Sequence, residues 1–324
     1  MSAVSGPTEE PGTPDPTTAI AADEIAIVGT TASGKSALAL AVARTLPDIE
    51  LVSVDSMQVY RGMDIGTAKP SAAEQAEIRH HLIDVADPAE EYAVARFADD
   101  VRAVRADLAA RGKRALFVGG TGLYLRAVVD QLDVPGQYPE VRVALDAEPD
   151  TAALHRRLTA LDPVAAERME PTNRRRIVRA LEVTVGSGRP FSSYGPGLTQ
   201  YPPTPVRLVG VRLPRPVIDD RIARRYRDQL EAGFLDEIRS LAARPEGLSR
   251  TAAQALGYKE LLAHVAGEVT LDDALEIAVV RTRRFARRQE RWFRRDPRIS
   301  WFDPPADDPD PLRVLPDLLA AIDR

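Results

Sequence analysis

The chain has 324 residues, 44% of them hydrophobic and 28% charged, with a net charge of −5. That length suits one large domain with an insertion, or two modest domains. With no cysteine, disulfides, thiolate metal sites and cysteine nucleophiles are excluded together, and a reducing cytoplasm is the expected location.

The opening "MSAVSGPTEEPGTPDPTTAIAAD" lacks the basic start and apolar run of a secretory signal, and its Pro, Thr, Gly and Glu predict a disordered tail over 1–23. No later stretch is apolar for long enough to span a bilayer. "EIAIVG" (24–29) reads as a buried strand. A glycine-rich turn follows, and then "KSALALAVARTL" with the composition and spacing of a helix. "IELVSVDS" (49–56) and "RALFVGGTG" (114–122) read as further buried strands, the second preceded by a helix that stops at Gly112. Between 137 and 205 only helical signals occur, closed by a Pro/Gly-rich segment, and a strand resumes at "VRLVGVRLP" (206–214). The last third is helical as far as "WFDPP", leaving 304–324 as an acidic, proline-rich tail. Strands alternating with helices predict an α/β domain with a P-loop NTPase-like parallel sheet flanked by helices. Its expected extent is 24–136 plus 206–303, with 137–205 an all-helical insertion domain.

Gly29-Thr30-Thr31-Ala32-Ser33-Gly34-Lys35-Ser36 fits the G-x-x-x-x-G-K-[ST] pattern between a strand and a helix. Its backbone N–H groups and the helix N-terminus would cradle a diphosphate, Lys35 would add a full charge, and Ser36 would bind Mg²⁺. The motif does not say that the phosphate belongs to a nucleotide. Asp55 ends the next strand on the same edge, where ligands of open α/β sheets bind. By position alone it is a metal ligand or a general base, against a plain reading as a solvated turn residue or a cap on the next helix.

Charge is unevenly spread. Nine arginines lie between Arg281 and Arg298, opposed only by Glu290 and Asp296, and "NRRRIVRALEV" from Asn173 forms a second basic cluster. A local basic surface on an acidic chain suits a polyanionic partner.

Several segments together resemble one family. "GTTASGKSALAL", "LVSVDSMQVYRGMDIGTAKP", "HHLIDVADP", "LFVGGTGLYLRAVVDQL", "RALEV", "ALGYKEL" and "RTRRFARRQERWFR" stand in the order found in the tRNA dimethylallyltransferases, covering about 24–303. The resemblance implies transfer of a dimethylallyl group from dimethylallyl diphosphate to N6 of the adenosine immediately 3′ of the anticodon in tRNA. The glycine loop would then hold a leaving group, with Mg²⁺ as cofactor, the tRNA anticodon stem-loop as partner and no membrane involved. Nothing in the sequence demands more than a monomer. Asp55 matches the residue thought to serve the family as base, and Thr121 matches one that contacts the target nucleotide. Read without the family, Thr121 is a helix cap.

By the same resemblance, Asp55, Ser56, Met57 and Gln58 line the flipped base. Gln58 suits an adenine edge, whereas Met57 alone would read as core filler. Further tRNA contacts are implied at Arg142, at Arg175, Arg176, Ile177, Val178 and Arg179, and at Gln254, Ala255, Leu256, Gly257, Tyr258 and Lys259. Arg287 and Arg288 would meet diphosphate, tRNA backbone or both. Trp292 and Phe293 fit helix packing better than base stacking, and His80 and His81 fit a packed, hydrogen-bonded pair better than acid–base work. Three alternatives remain at this stage: an adenylate isopentenyltransferase acting on AMP, ADP or ATP; a P-loop small-molecule kinase; and a non-catalytic tRNA binder.

Overall fold

A computed structural model describes residues 24–322 with the exception of 196, so the tail expected over 1–23 lies outside the described residues. Six strands form one parallel sheet in the order β3-β2-β4-β1-β5-β6. They are β1 Ile25–Val28, β2 Ile49–Val54, β3 His80–His81, β4 Arg114–Gly119, β5 Arg207–Val211 and β6 Ser300–Phe302. Every residue of β1 and β2 is buried, as expected when helices cover both faces of a parallel sheet.

The helices of the first half are α1 Lys35–Thr45, α2 Ala72–Glu77, α3 Val94–Ala110 and α4 Gly122–Val129. The next four, α5 Pro139–Asp146, α6 Thr151–Leu161, α7 Pro163–Glu167 and α8 Arg174–Ser187, surround their own core of Leu145, Leu154, Leu158, Ile177 and Leu181. Asp162 separates α6 from α7 ahead of Pro163, accepting from the Ala165 N–H at 3.0 Å and the Ser192 N–H at 2.7 Å. Proline has no N–H to continue the first helix, and the aspartate caps the second. The chain returns through a segment anchored on Tyr201, whose ring packs against the Arg126 and Arg298 guanidiniums at 4.5 and 5.5 Å.

The last third contributes α9 Arg215–Glu231, α10 Phe234–Ala242, α11 Arg250–Ala253, α12 Tyr258–Val265, α13 Leu271–Phe293 and α14 Leu315–Ile322. Phe293 is buried and Trp292 packs against the same core, so both fasten α13 to the domain. Among the described residues, no helix is long and apolar enough to cross a membrane.

The expected acidic tail from 304 is corrected by the structure. Pro311 is buried, and Val314, Leu318 and Ile322 enter the core formed by α1, β1 and β5. Their spacing is that of one helical face, and the flanking Asp-Pro run hides it from a compositional reading. Pro311 also lies against the phosphate loop: a β-carbon on Gly34 would come within 2.2 Å of its ring. Gly34 additionally adopts φ +85°, so both the fold and the contact demand glycine there.

Candidate active site

Three turns converge because three neighbouring strands, β2, β4 and β1, end on one edge. The phosphate loop leaves β1, Asp55 leaves β2, and Gly120–Thr121 leave β4. They open into a cleft of about 680 Å³ that also receives side chains from α9, α12 and α13. Thr31, Lys35, Ser36, Asp55, Ser56, Met57, Gln58 and Thr121 all line it, as do Gln254, Ala255, Leu256, Tyr258 and Arg288.

In the loop, Ala32 and Gly34 take positive φ values of 63° and 85°, a curvature that turns successive N–H groups inward. Ser33 is fully buried beneath it. Lys35 has only a long 3.4 Å contact to the Thr30 carbonyl. Burial pushes its pKa down from 10.5 to about 8, against the attraction of Asp55 and with the help of Arg225. An arriving diphosphate would restore the ammonium, so binding takes up a proton wherever the free lysine is neutral. Diphosphate affinity should therefore be full below about pH 8 and weaken above it. Calorimetry at about pH 9 in buffers of different ionisation enthalpy should find close to one proton taken up per diphosphate; an uptake of zero would contradict this.

Asp55 accepts the Met57 N–H on Oδ1 at 2.9 Å, which leaves Oδ2 for the cleft and caps no helix. Thr121 stands at the N-cap of α4 without capping it through its side chain. Its Oγ1 accepts the Ser56 N–H at 3.2 Å instead, tying the β4 turn to the Asp55 turn. Gln58 is more committed than its sequence position implies. Its Oε1 accepts from Ser53 Oγ at 2.8 Å, and its Nε2 donates to the carbonyls of Thr67 and Ala68 at 3.2 and 3.1 Å. With both donors engaged, the side chain can offer an incoming base only the second lone pair of Oε1. The loop supplying those carbonyls is held in turn by Glu237, which accepts the Asp64 and Ile65 N–H groups at 2.8 and 2.7 Å and the Tyr258 hydroxyl at 2.6 Å.

Other expected residues stand elsewhere. Arg175 and Arg176 are exposed on α8. Arg142 pairs with Asp146 at 2.8 Å, and Arg179 with Glu182 at 2.8 Å. Ile177 and Val178, expected among the tRNA contacts, are 0% and 1% exposed; their side chains build the insertion core because they occupy the inner face of α8. Tyr258 is equally buried. Lys259 is exposed beyond the cleft lining, and Gly257, at φ +84°, is the turn before α12. Arg281 on α13 is neutralised by Glu260, and Arg298, beyond the helix, by Asp296 and Asp130. Arg281, Arg284 and Arg288 line the cleft, whereas Arg287 is exposed outside its lining. His81 bonds Glu50 at 2.7 Å and His80 bonds the Ile78 carbonyl at 2.7 Å, the two forming β3 itself. Glu50 is drawn down to a pKa of about 2 by Arg111 and by that histidine.

The residue most plainly missed by the sequence reading is Arg225 on α9. Its guanidinium donates to Thr31 Oγ1 at 3.2 Å and to the Gly66 carbonyl at 3.1 Å, and it forms no carboxylate ion pair among the described residues. Burial holds its pKa below the usual arginine value. A cation kept so poorly compensated is costly until an anion joins it. One arginine within "RIARRYRDQL" gives no local signal; only the helix packing shows which one faces the loop.

Among the described residues no group of three or more His, Asp or Glu could hold a metal by itself. Two oxygen donors near the loop, Ser36 and Asp55, line the same cleft. This set fits Mg²⁺ only as an ion that arrives with diphosphate and keeps part of its water.

Comparison with known proteins gives the geometry its context. A family model described as IPP transferase matches residues 58–296, and one described as Isopentenyl transferase matches 23–92. The chain belongs to the IPP transferase family. It is 48% identical over 296 residues to a tRNA dimethylallyltransferase of Kineococcus radiotolerans, covering 89% of this chain and 92% of that one. To the tRNA dimethylallyltransferase of Thermobifida fusca it is 48% identical over 294 residues, covering 88% and 91%. Among solved structures, this IPP transferase resembles a tRNA isopentenylpyrophosphate transferase from Bacillus halodurans at TM-score 0.64 and 35% identity, covering 92% and 96% of the two chains. It also resembles a eukaryotic dimethylallyltransferase acting on tRNA at TM-score 0.71 and 28% identity, covering 83% and 69%.

Proposed function

We propose that this IPP transferase moves the dimethylallyl group from dimethylallyl diphosphate to N6 of the adenosine immediately 3′ of the anticodon in tRNA. The observation that carries this reading is the opening of the phosphate loop, Asp55 and Thr121 from three adjacent strand ends into one cleft. One side of that cleft suits a departing diphosphate, and the other suits an amine that must lose a proton.

In the proposed reaction the allylic C–O bond breaks and its electron pair leaves with diphosphate. The loop amides, Lys35 and Arg225 stabilise that charge from fixed positions, the electrostatic effect on which enzymes rely most. Mg²⁺, held through Ser36, would neutralise further charge on the leaving group. The N6 lone pair forms the new C–N bond, and Asp55 accepts the proton that N6 releases. A stacked adenine cannot reach a recessed carboxylate, so the base must leave the anticodon-loop stack at a cost of a few kcal/mol. Ser56, Met57 and the Oε1 lone pair of Gln58 would then line its pocket. Arg284, Arg288 and the exposed Arg175 and Arg176 would meet tRNA phosphates. On this proposal the protein works as a cytoplasmic monomer.

The test is incubation with unmodified tRNA, labelled dimethylallyl diphosphate and Mg²⁺, with AMP and ATP as rival acceptors. Label in tRNA alone is expected; label in AMP, or none anywhere, overturns the proposal. Arg176→Ala should weaken tRNA binding and reduce the slope of log affinity against log salt by about one. An unchanged slope would remove Arg176 from the phosphate contacts.

A further inference from the structure

Gln289 lies on the inner face of α13 and is 7% exposed. Its Oε1 accepts the backbone N–H of Thr31 at 2.8 Å, and its Nε2 donates to the carbonyl of Gly120 at 2.8 Å. One partner is in the phosphate loop after β1, and the other immediately precedes Thr121 after β4. A β-carbon on Gly120 would stand 2.3 Å from Nε2, so the approach is possible only because that residue is glycine. Thr31 presents a donor and Gly120 an acceptor, so only one orientation of the carboxamide satisfies both. Because both partners are backbone groups, neither can adjust by rotating a side chain. The bridge therefore sets the spacing of two turns that no strand pairing holds beyond Val28 and Gly119.

We infer that Gln289 is a positioning residue, whose carboxamide fixes the leaving-group half of the cleft relative to the acceptor half. The inference rests on the dimethylallyl-transfer reading. In that reaction the allylic carbon, carried by the loop, must meet an amine held beside Thr121. A misplacement of about 1 Å between such partners costs about 10²-fold in rate. Either reactant can still bind its own half when the spacing is wrong, so the loss falls on the chemical step.

The test compares Gln289→Met, similar in length but without hydrogen bonds, and Gln289→Glu with wild type. Single-turnover transfer rates and separate dissociation constants for dimethylallyl diphosphate and tRNA are measured on the full chain. Q289M is expected to react about 10–100-fold more slowly while both dissociation constants stay near wild type. In Q289E the ionised carboxylate can accept from Thr31 but turns a lone pair toward the Gly120 carbonyl; once protonated, it recovers the donor. The ratio of the Q289E rate to wild type should therefore rise as pH falls, while the Q289M ratio stays flat. Burial, the Gly120 carbonyl and Asp55 favour the protonated form, while Lys35, Arg225 and Arg288 favour the ionised one, so the recovery is followed across the whole accessible pH range. Full rate in both variants, weakening of either dissociation constant in proportion to the rate, or a flat Q289E ratio overturns the inference. If wild type itself transfers no label to tRNA, the dimethylallyl-transfer reading fails instead.

Discussion

Asp55→Ala is expected to lower turnover about 10²–10⁴-fold, the usual worth of a general base, with tRNA affinity largely intact. Asp55→Asn sharpens the result. The amide oxygen can still accept the Met57 N–H that Oδ1 now holds at 2.9 Å, so the turn keeps its shape. The amide cannot take a proton from N6, so D55N should be nearly as slow as D55A. Single-turnover kinetics with a filter-binding measurement of tRNA separates the outcomes. If D55N keeps its rate, or if tRNA affinity collapses in D55A, Asp55 is a binding residue and the base lies elsewhere.

The second large effect concerns Arg225. Arg225→Met should raise the KM for dimethylallyl diphosphate about 10–100-fold, which corresponds to the ~1.5–3 kcal/mol of a charge-assisted hydrogen bond. The same change should leave the melting temperature unaltered or raise it. A half-buried cation with no ion pair among the described residues opposes folding, and the Gly66 carbonyl that loses Arg225 keeps Gln229 Nε2 at 3.2 Å. Weaker diphosphate binding in an equally stable or more stable protein marks a cation maintained for an anionic ligand. A lowered melting temperature with unchanged KM would make Arg225 a structural clamp on the loop at Gly66.

The long strands and the glycine-rich loop between β1 and α1 were legible in the sequence, because an apolar run before a glycine-rich turn and an Ala/Leu helix is a local pattern. The site turns were legible for the same reason, since Asp55 and Thr121 each close such a run. The two edge strands were not. His80–His81 and Ser300–Phe302 are too short to show any period, and only their neighbours make them strands. Gln58 was visible as a polar residue near the site, but not its engagement with Ser53, Thr67 and Ala68. Arg225 and Gln289 were invisible in principle, each being one of several polar residues on a long helix. Ile177 and Val178 show the converse: their family motif is contiguous, but helical periodicity turns these side chains to the core and leaves Arg175 and Arg176 exposed.

The seating of Pro311 on Gly34, with Val314, Leu318 and Ile322 beneath α1, has a bearing on biosynthesis. A ribosome-bound chain that has emerged through α13 already contains every side chain assigned here to the reactants. The support behind its diphosphate cradle is still unsynthesised or inside the exit tunnel. Gly34 and α1 therefore gain their last packing partners only once α14 has been made and released.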